Sequence, residues 1–321
     1  MPPLRKKSGS HSLSLPIAIT PTLDSPRTSK IPQRAQITKP IKSSQYTQNK
    51  ITKMQPDAAT PANGSAQTPI TIGVLALQGA FIEHITLLER AAATVTSKHP
   101  ETPLSFIEVR TPSELASCTG LILPGGESTA ISLIAERCGL LEPLREFVKI
   151  QRRPVWGTCA GLILLAESAN KSKATGQELI GGLDVRVQRN YFGRQVESFE
   201  AGLRLKFLEG QEPFHSVFIR APVVEKVLGV GGEGVEEGEG TVVAPARRAQ
   251  KAEVEIMGRL PGRAKALRDQ TTTAEDLGED GDIVAVRQGN VFGTAFHPEL
   301  TGDERIHAWW MEEVIKAAKA A

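Results

Sequence analysis

The chain has 321 residues, enough for two domains or for one domain carrying extra segments, and 40% hydrophobic against 23% charged residues lets much of it bury a core. Its three cysteines, Cys118, Cys138 and Cys159, are too few and too scattered for a disulfide framework or a structural zinc site, and no apolar run approaches the roughly 20 residues that span a bilayer. The net charge of +2 hides an asymmetry: residues 1–69 hold ten Lys and Arg against two acids, a balance of +8, which leaves −6 on the remainder. A mildly acidic body argues against nucleic acid as a ligand, because neutralising phosphates takes clustered cations. The expectation is a cytoplasmic protein that binds neither nucleic acid nor membrane.

Residues 1–69 contain ten of the 21 prolines and no apolar periodicity, so they read as a disordered basic tail. From Ile70 the pattern changes. ITIGVLALQGAF reads as a strand and FIEHITLLERAAA as a helix. Strands follow at LSFIEVR and GLILPGG, then a helix from Ser128 to about Cys138 and another around Pro143–Gln151. PVWGTCAGLILLAES reads as a buried strand, a tight turn and a helix. Strand and helix alternating at this spacing imply a parallel sheet covered on both faces. Past Gly181 the strands shorten: LDVRVQRN, ESFEAGLRLKF, SVFIRAP, TVVAPAR, DIVAVRQGN and VFGTAFH, closed by a helix over DERIHAWWMEEVIKAAKA. Residues 229–240, with six glycines and four glutamates, and residues 246–281, polar and without strand periodicity, both read as surface loops. The formal G-x-G-x-x-G match at Gly229–Gly234 opens no helix and lies among glutamates that would repel a phosphate, so it is read as loop.

Cys159 stands in Gly157-Thr158-Cys159-Ala160-Gly161, between a buried strand and an apolar helix. This is the thiol counterpart of the G-x-S-x-G elbow: glycines let the chain turn sharply, and the helix amino terminus favours thiolate over thiol. Cys118 and Cys138 lack that context and are expected to be structural. His297 lies in Ala295-Phe296-His297-Pro298-Glu299 after a strand-like run. Extended residues two apart face one side, so Glu299 can fix the imidazole tautomer as the carboxylate does in a Ser-His-Asp triad. The other histidines carry no such signal: His84 is read as a satisfied or solvated helix residue, and His99, His215 and His307 as surface residues. Pro124-Gly125-Gly126-Glu127-Ser128-Thr129 joins a strand to a helix; the paired glycines can turn backbone N–H groups toward an oxyanion, and Ser128 or Thr129 can cap the helix.

Together these pieces resemble the class I, triad-type glutamine amidotransferases, and more narrowly the glutaminase subunits of pyridoxal 5'-phosphate synthase. The resemblance rests on GVLALQGAFIEH (73–84), LILPGGEST (121–129), WGTCAGLILLA (156–166), RNYFGRQVESFE (189–200), FIRAP (218–222) and AVRQGNVFGTAFHPELTGDERIH (285–307). It implies an α/β flavodoxin-like three-layer sandwich with a mostly parallel central sheet over residues 70–321. It also implies Cys159 as nucleophile, His297 as general base and acid, and Glu299 as its orienting partner. Gly125, Gly126, Glu127 and Ser128 would line the glutamine site with Arg189, Ile219 and Arg220, one arginine holding the substrate α-carboxylate while Glu127 meets the α-ammonium. The family uses no cofactor or metal in this subunit and hands ammonia from L-glutamine to a (β/α)8-barrel synthase partner. A glutaminase feeding another synthase, or a scaffold that keeps the fold without catalysis, are the rival readings. The long basic tail and the segment before the His297 strand depart from the family pattern.

Overall fold

The computed structural model describes residues 69–171, 177–191, 198–235, 238, 240–245, 251–261 and 281–320. The tail expected over residues 1–69 lies outside them but for Pro69, as do parts of both expected loops. The elements run β1 (Ile70–Leu75), α1 (Phe81–Lys98), β2 (Leu104–Val109), α2 (Pro112–Ser117), β3 (Gly120–Leu123), α3 (Ser128–Arg137), α4 (Leu141–Lys149), β4 (Val155–Thr158), α5 (Ala160–Leu165), β5 (Ala166–Asn170) and β6 (Leu183–Gln188). They continue with β7 (Ser198–Leu203), β8 (Phe214–Ile219), β9 (Val223–Val227), β10 (Thr241–Val243), β11 (Glu255–Leu260), β12 (Asp282–Gln288), β13 (Val291–Thr294) and α6 (Arg305–Ala320).

One sheet holds eleven of these strands in the order β10-β5-β6-β9-β12-β13-β4-β3-β1-β2, with β11 paired to β12. The run β2-β1-β3-β4-β13 is parallel throughout. Every residue of β3, β4 and β13 is buried, as expected of parallel strands covered on both faces. Two groups of helices supply that cover: α1 packs with α6, and α3 with α4 and α5. This is the α/β class read from the alternation. The other half of the sheet is antiparallel apart from the β5–β6 pair. Strands β7 and β8 form a separate two-stranded ribbon.

Three differences from the sequence reading have physical causes. The helix after Cys159 lasts only six residues, because Ala166-Glu167-Ser168 leaves it to pair in parallel with β6. The segment 246–281, read as loop, contains β11, antiparallel to β12; register shifts on either side of Gly258 break the two-residue alternation that would have revealed it. Helix α2 went unread although its signal is present: Thr111 caps it, Glu114 completes the capping box and Pro112 opens it. The Gly-rich stretch after β9 is a turn closed by a Gly229–Glu233 bridge and by the Gly231 N–H donating to Asp184 at 2.9 Å.

Candidate active site

The carboxyl ends of the adjacent parallel strands β1, β3, β4 and β13 lie side by side, the place where open α/β sheets gather ligands. Each ends in one of the motifs singled out in the sequence. Cys159 follows β4 directly, its N–H donating to the Thr294 carbonyl of β13 at 2.8 Å. Its φ of 47° is in the left-handed region, strained for a residue with a side chain. Gly161 permits the turn: a Cβ there would stand 2.1 Å from the Leu123 carbonyl oxygen, so only glycine lets α5 lie this close to β3.

His297 follows β13 and is buried, its N–H donating to the Val217 carbonyl of β8 at 2.8 Å. The β7–β8 ribbon therefore fixes the backbone of this histidine. Its Nδ1 lies 2.7 Å from Glu299 Oε1. Burial works against charge on this imidazole, but its interactions with Cys159 and with the hydrogen-bonded Glu299 outweigh burial and raise it to about 10. Burial would raise Glu299 as well; the facing His84 and the hydrogen-bonded His297 outweigh it and hold the carboxyl below its usual range. The three residues named from sequence thus form one contiguous chain. By contrast, burial pushes the Cys118 thiol up to about 11, as suits a structural cysteine.

The loop after β3 passes beside this chain. A Cβ on Gly125 would fall 2.3 Å from His297 Cε1, so the imidazole sits directly against a backbone that must be glycine. The Gly125 carbonyl accepts from the Ala80 N–H at 3.1 Å, and the Glu127 N–H donates to Gln78 Oε1 at 2.8 Å. The cap of α3 is Glu127, not Ser128 or Thr129, which the sequence leaves open as possible caps. Its carboxylate accepts from the Thr129 and Ala130 N–H groups at 3.1 and 2.7 Å. The Ser128 and Thr129 hydroxyls instead donate to Gln177 Oε1, at 3.2 and 3.1 Å.

A cavity of about 330 Å³ opens at Cys159. Gly126, Glu127, Ser128, Arg189, Ile219 and Arg220 all line it, with Ile163 and Asn190. Gly125 contributes from behind, against His297. Of the four non-glycine residues with left-handed φ among the described residues, Cys159, Asn190 and Arg220 line this one cavity. Arg189 is buried in its wall and donates from Nη1 to the same Gln177 oxygen; burial lowers its guanidinium to about 10, opposed by Glu127, and leaves it cationic. Among the described residues no group of three His, Cys, Asp or Glu side chains is placed to hold a metal ion.

Sequence reasoning missed three contributors. Gln78 sits in GVLALQGAFIEH without being singled out, whereas His84 of the same motif, read as a satisfied or solvated helix residue, is buried with both ring nitrogens hydrogen-bonded. Gln177 has no motif; only the convergence of three donors on its oxygen reveals it. His307, read as a surface residue, is buried in α6 against His84.

Known proteins resemble this chain over most of the described fold. A model of the SNO glutamine amidotransferase family matches residues 74–257 and 254–316. The chain is 41% identical over 238 residues to pyridoxal 5'-phosphate synthase subunit PdxT of Herpetosiphon aurantiacus, covering 74% of this chain and 97% of that one. It is also 41% identical over 256 residues to the subunit of the same name from Streptomyces coelicolor, covering 80% and 98%. A crystal structure of a glutamine amidotransferase superposes with a TM-score of 0.52 at 36% identity, covering 76% of this chain and 98% of that one. With motifs, sheet and family model in agreement from β1 to α6, the chain belongs to the SNO glutamine amidotransferase family.

Proposed function

We propose that this protein is the glutamine-hydrolysing subunit of a pyridoxal 5'-phosphate synthase, and that Cys159, His297 and Glu299 carry the hydrolysis. The observation that supports this most directly is the chain of contacts from Cys159 through His297 to Glu299 at the mouth of a cavity sized for one amino acid.

In this reading the Cys159 thiolate attacks the side-chain carboxamide carbon of L-glutamine. The Gly126 and Ala160 N–H groups receive the developing oxyanion. The His297 imidazolium passes its proton to the departing nitrogen, so ammonia leaves and a thioester remains. Neutral His297 then takes a proton from water as the hydroxide adds to the thioester carbon. Collapse expels the Cys159 thiolate and releases glutamate, with the proton back on His297. Glu299 holds the ring tautomer throughout and steadies its positive charge. Arg189 or Arg220 meets the substrate α-carboxylate, and Ile219 and Ser128 shape the site. Glu127 has a second task here, since the carboxylate assigned to the α-ammonium also caps α3. The ammonia passes to a (β/α)8-barrel synthase subunit.

Cys159→Ala tests this. Glutamine hydrolysis should fall by about 10⁴-fold or more, while synthesis by the partner from added ammonium persists. Equal loss of both would reject the assignment.

A further inference from the structure

Behind Glu299 the structure holds a second, fully buried pair of imidazoles that the chemistry above does not use. His84, from α1, presents Nε2 to Glu299 Oε2 at 3.4 Å and to the Thr158 hydroxyl at 3.2 Å. Its Nδ1 lies 2.9 Å from Nε2 of His307, on α6. Both rings are walled by Trp156, with centroids 5.5 and 5.0 Å away. We propose that His84 is a positioning residue for Glu299: its Nε2–H donates to the second carboxylate oxygen while its Nδ1 accepts from His307, so four side chains from three separate stretches of sequence act as one line behind the cysteine. The proposal rests on the glutaminase reading only for its kinetic consequence.

The tautomers follow from what each nitrogen faces. Burial lowers both imidazoles to about 3, so each carries a single N–H. If the proton of His84 were on Nδ1, a bare Nε2 lone pair would point at a carboxylate oxygen. His307 would then carry its own proton on Nδ1, which has no hydrogen-bond partner among the described residues. A buried orphan donor is the costlier error, whereas a bare Nδ1 is an acceptor merely left idle. Glu299 Oε2 likewise has no hydrogen-bond partner among the described residues, and the group that faces it is His84 Nε2 at 3.4 Å. The assignment that strands no imidazole donor runs His307 Nε2–H to His84, His84 Nε2–H toward Glu299 and the adjacent Thr158 hydroxyl, and Glu299 Oε1 accepting from His297 Nδ1–H. The 3.4 Å separation is longer than a well-formed hydrogen bond, and catalytic contacts commonly tighten when substrate arrives. Without that donor the carboxylate is free to swing about its own axis, and His297 loses the fixed ring plane from which Nε2 must reach both Cys159 and the leaving nitrogen.

Two polar substitutions separate the link to Glu299 from the link to His307. His84→Asn places an amide near the Nδ1 position and keeps the His307 contact, while His84→Gln carries its amide N–H out to the Nε2 position. In the full chain with its synthase partner, the Asn variant should lose about 10–100-fold in kcat with KM within about threefold of the parent, and the Gln variant should stay within about threefold on both. The downfield proton of the His297–Glu299 hydrogen bond should move in the Asn variant and stay in place in the Gln variant. In the parent protein, ¹⁵N-histidine spectra should show His84 protonated at Nε2 and bare at Nδ1. The reverse tautomer, or Asn and Gln variants that behave alike in both kinetics and the downfield proton, would overturn the proposal. A parent chain that hydrolyses no glutamine would refute the glutaminase reading alone, because the two spectroscopic arms need no turnover.

Discussion

The two halves of the sheet are built on different terms. In the parallel half, β2-β1-β3-β4-β13, every strand of the site delivers its residue within a few positions of its own carboxyl end, and each turn is held by backbone that tolerates no larger side chain. In the other half, strands pair mostly antiparallel, and the long segment before β12 that departs from the family pattern contributes β11, which pairs with β12 and bridges to Leu205 through Gly258, while β10 pairs with β5. A parallel sheet buried on both faces cannot accept an insertion without uncovering core, whereas an antiparallel margin gains a strand by adding one hairpin. Cys159, His297, Glu299 and the Gly125 loop thereby lie on one side of β12, while β6 on the other side leads into Arg189 and Asn190 of the cavity wall.

That contrast would be broken most forcefully at Gly125. Gly125→Ala puts a methyl group on an imidazole pinned by Glu299 and carried on backbone held by the β8 carbonyl, and a displacement of about 1 Å there should lower glutamine turnover by about 100-fold at unchanged melting temperature. Turnover within threefold of the parent would mean that His297 does not need its place beside this loop. The buried histidines sharpen the comparison next. With folded values near 3 against about 6.5 in the unfolded chain, His84 and His307 contribute stability that is present above about pH 6.5 and lost as pH falls toward 3. His297, raised instead, contributes stability below about 6.5 that fades only as pH climbs through about 10, so it adds no slope on the acid side. Between about pH 6 and 5 the unfolding free energy measured in urea should therefore fall by roughly 2–3 kcal/mol per pH unit, and His307→Phe should halve that slope. A flat profile would place a proton on both of these rings in the folded state. The smallest effect belongs to the far side. Leu260 and Asp282 are register partners at the facing ends of β11 and β12, so replacing residues 262–280 by a short hairpin turn should change stability by less than about 1 kcal/mol and leave glutamine hydrolysis intact.

The same division explains what the sequence made legible. Cys159, His297 with Glu299, and the Gly125–Ser128 loop announce themselves because each lies inside one short strand-and-turn piece whose residues meet their neighbours locally. Gln177 and the His84–His307 contact, 223 positions apart in the chain, do not, because nothing local distinguishes a histidine that faces another from one that faces water. Strand β11 was hidden by the irregularity at Gly258, and β5 by its apolar start, which continues the helical run of Leu162–Leu165 unbroken. The capping of α3 by Glu127 was missed for a subtler reason: a hydroxyl in the first turn is the commoner cap, and here both hydroxyls serve the cavity wall.

The left-handed backbone at Cys159 carries a consequence for how this protein can adapt. Holding a side-chain-bearing residue there costs about 1–3 kcal/mol. A glycine would relax the turn but would take the sulfur with it. Heat tolerance and turnover are therefore opposed at a single Cα, and a lineage living at higher temperature has to find its added robustness elsewhere, in caps, edges and surface charge, while this one strained link is inherited as it stands.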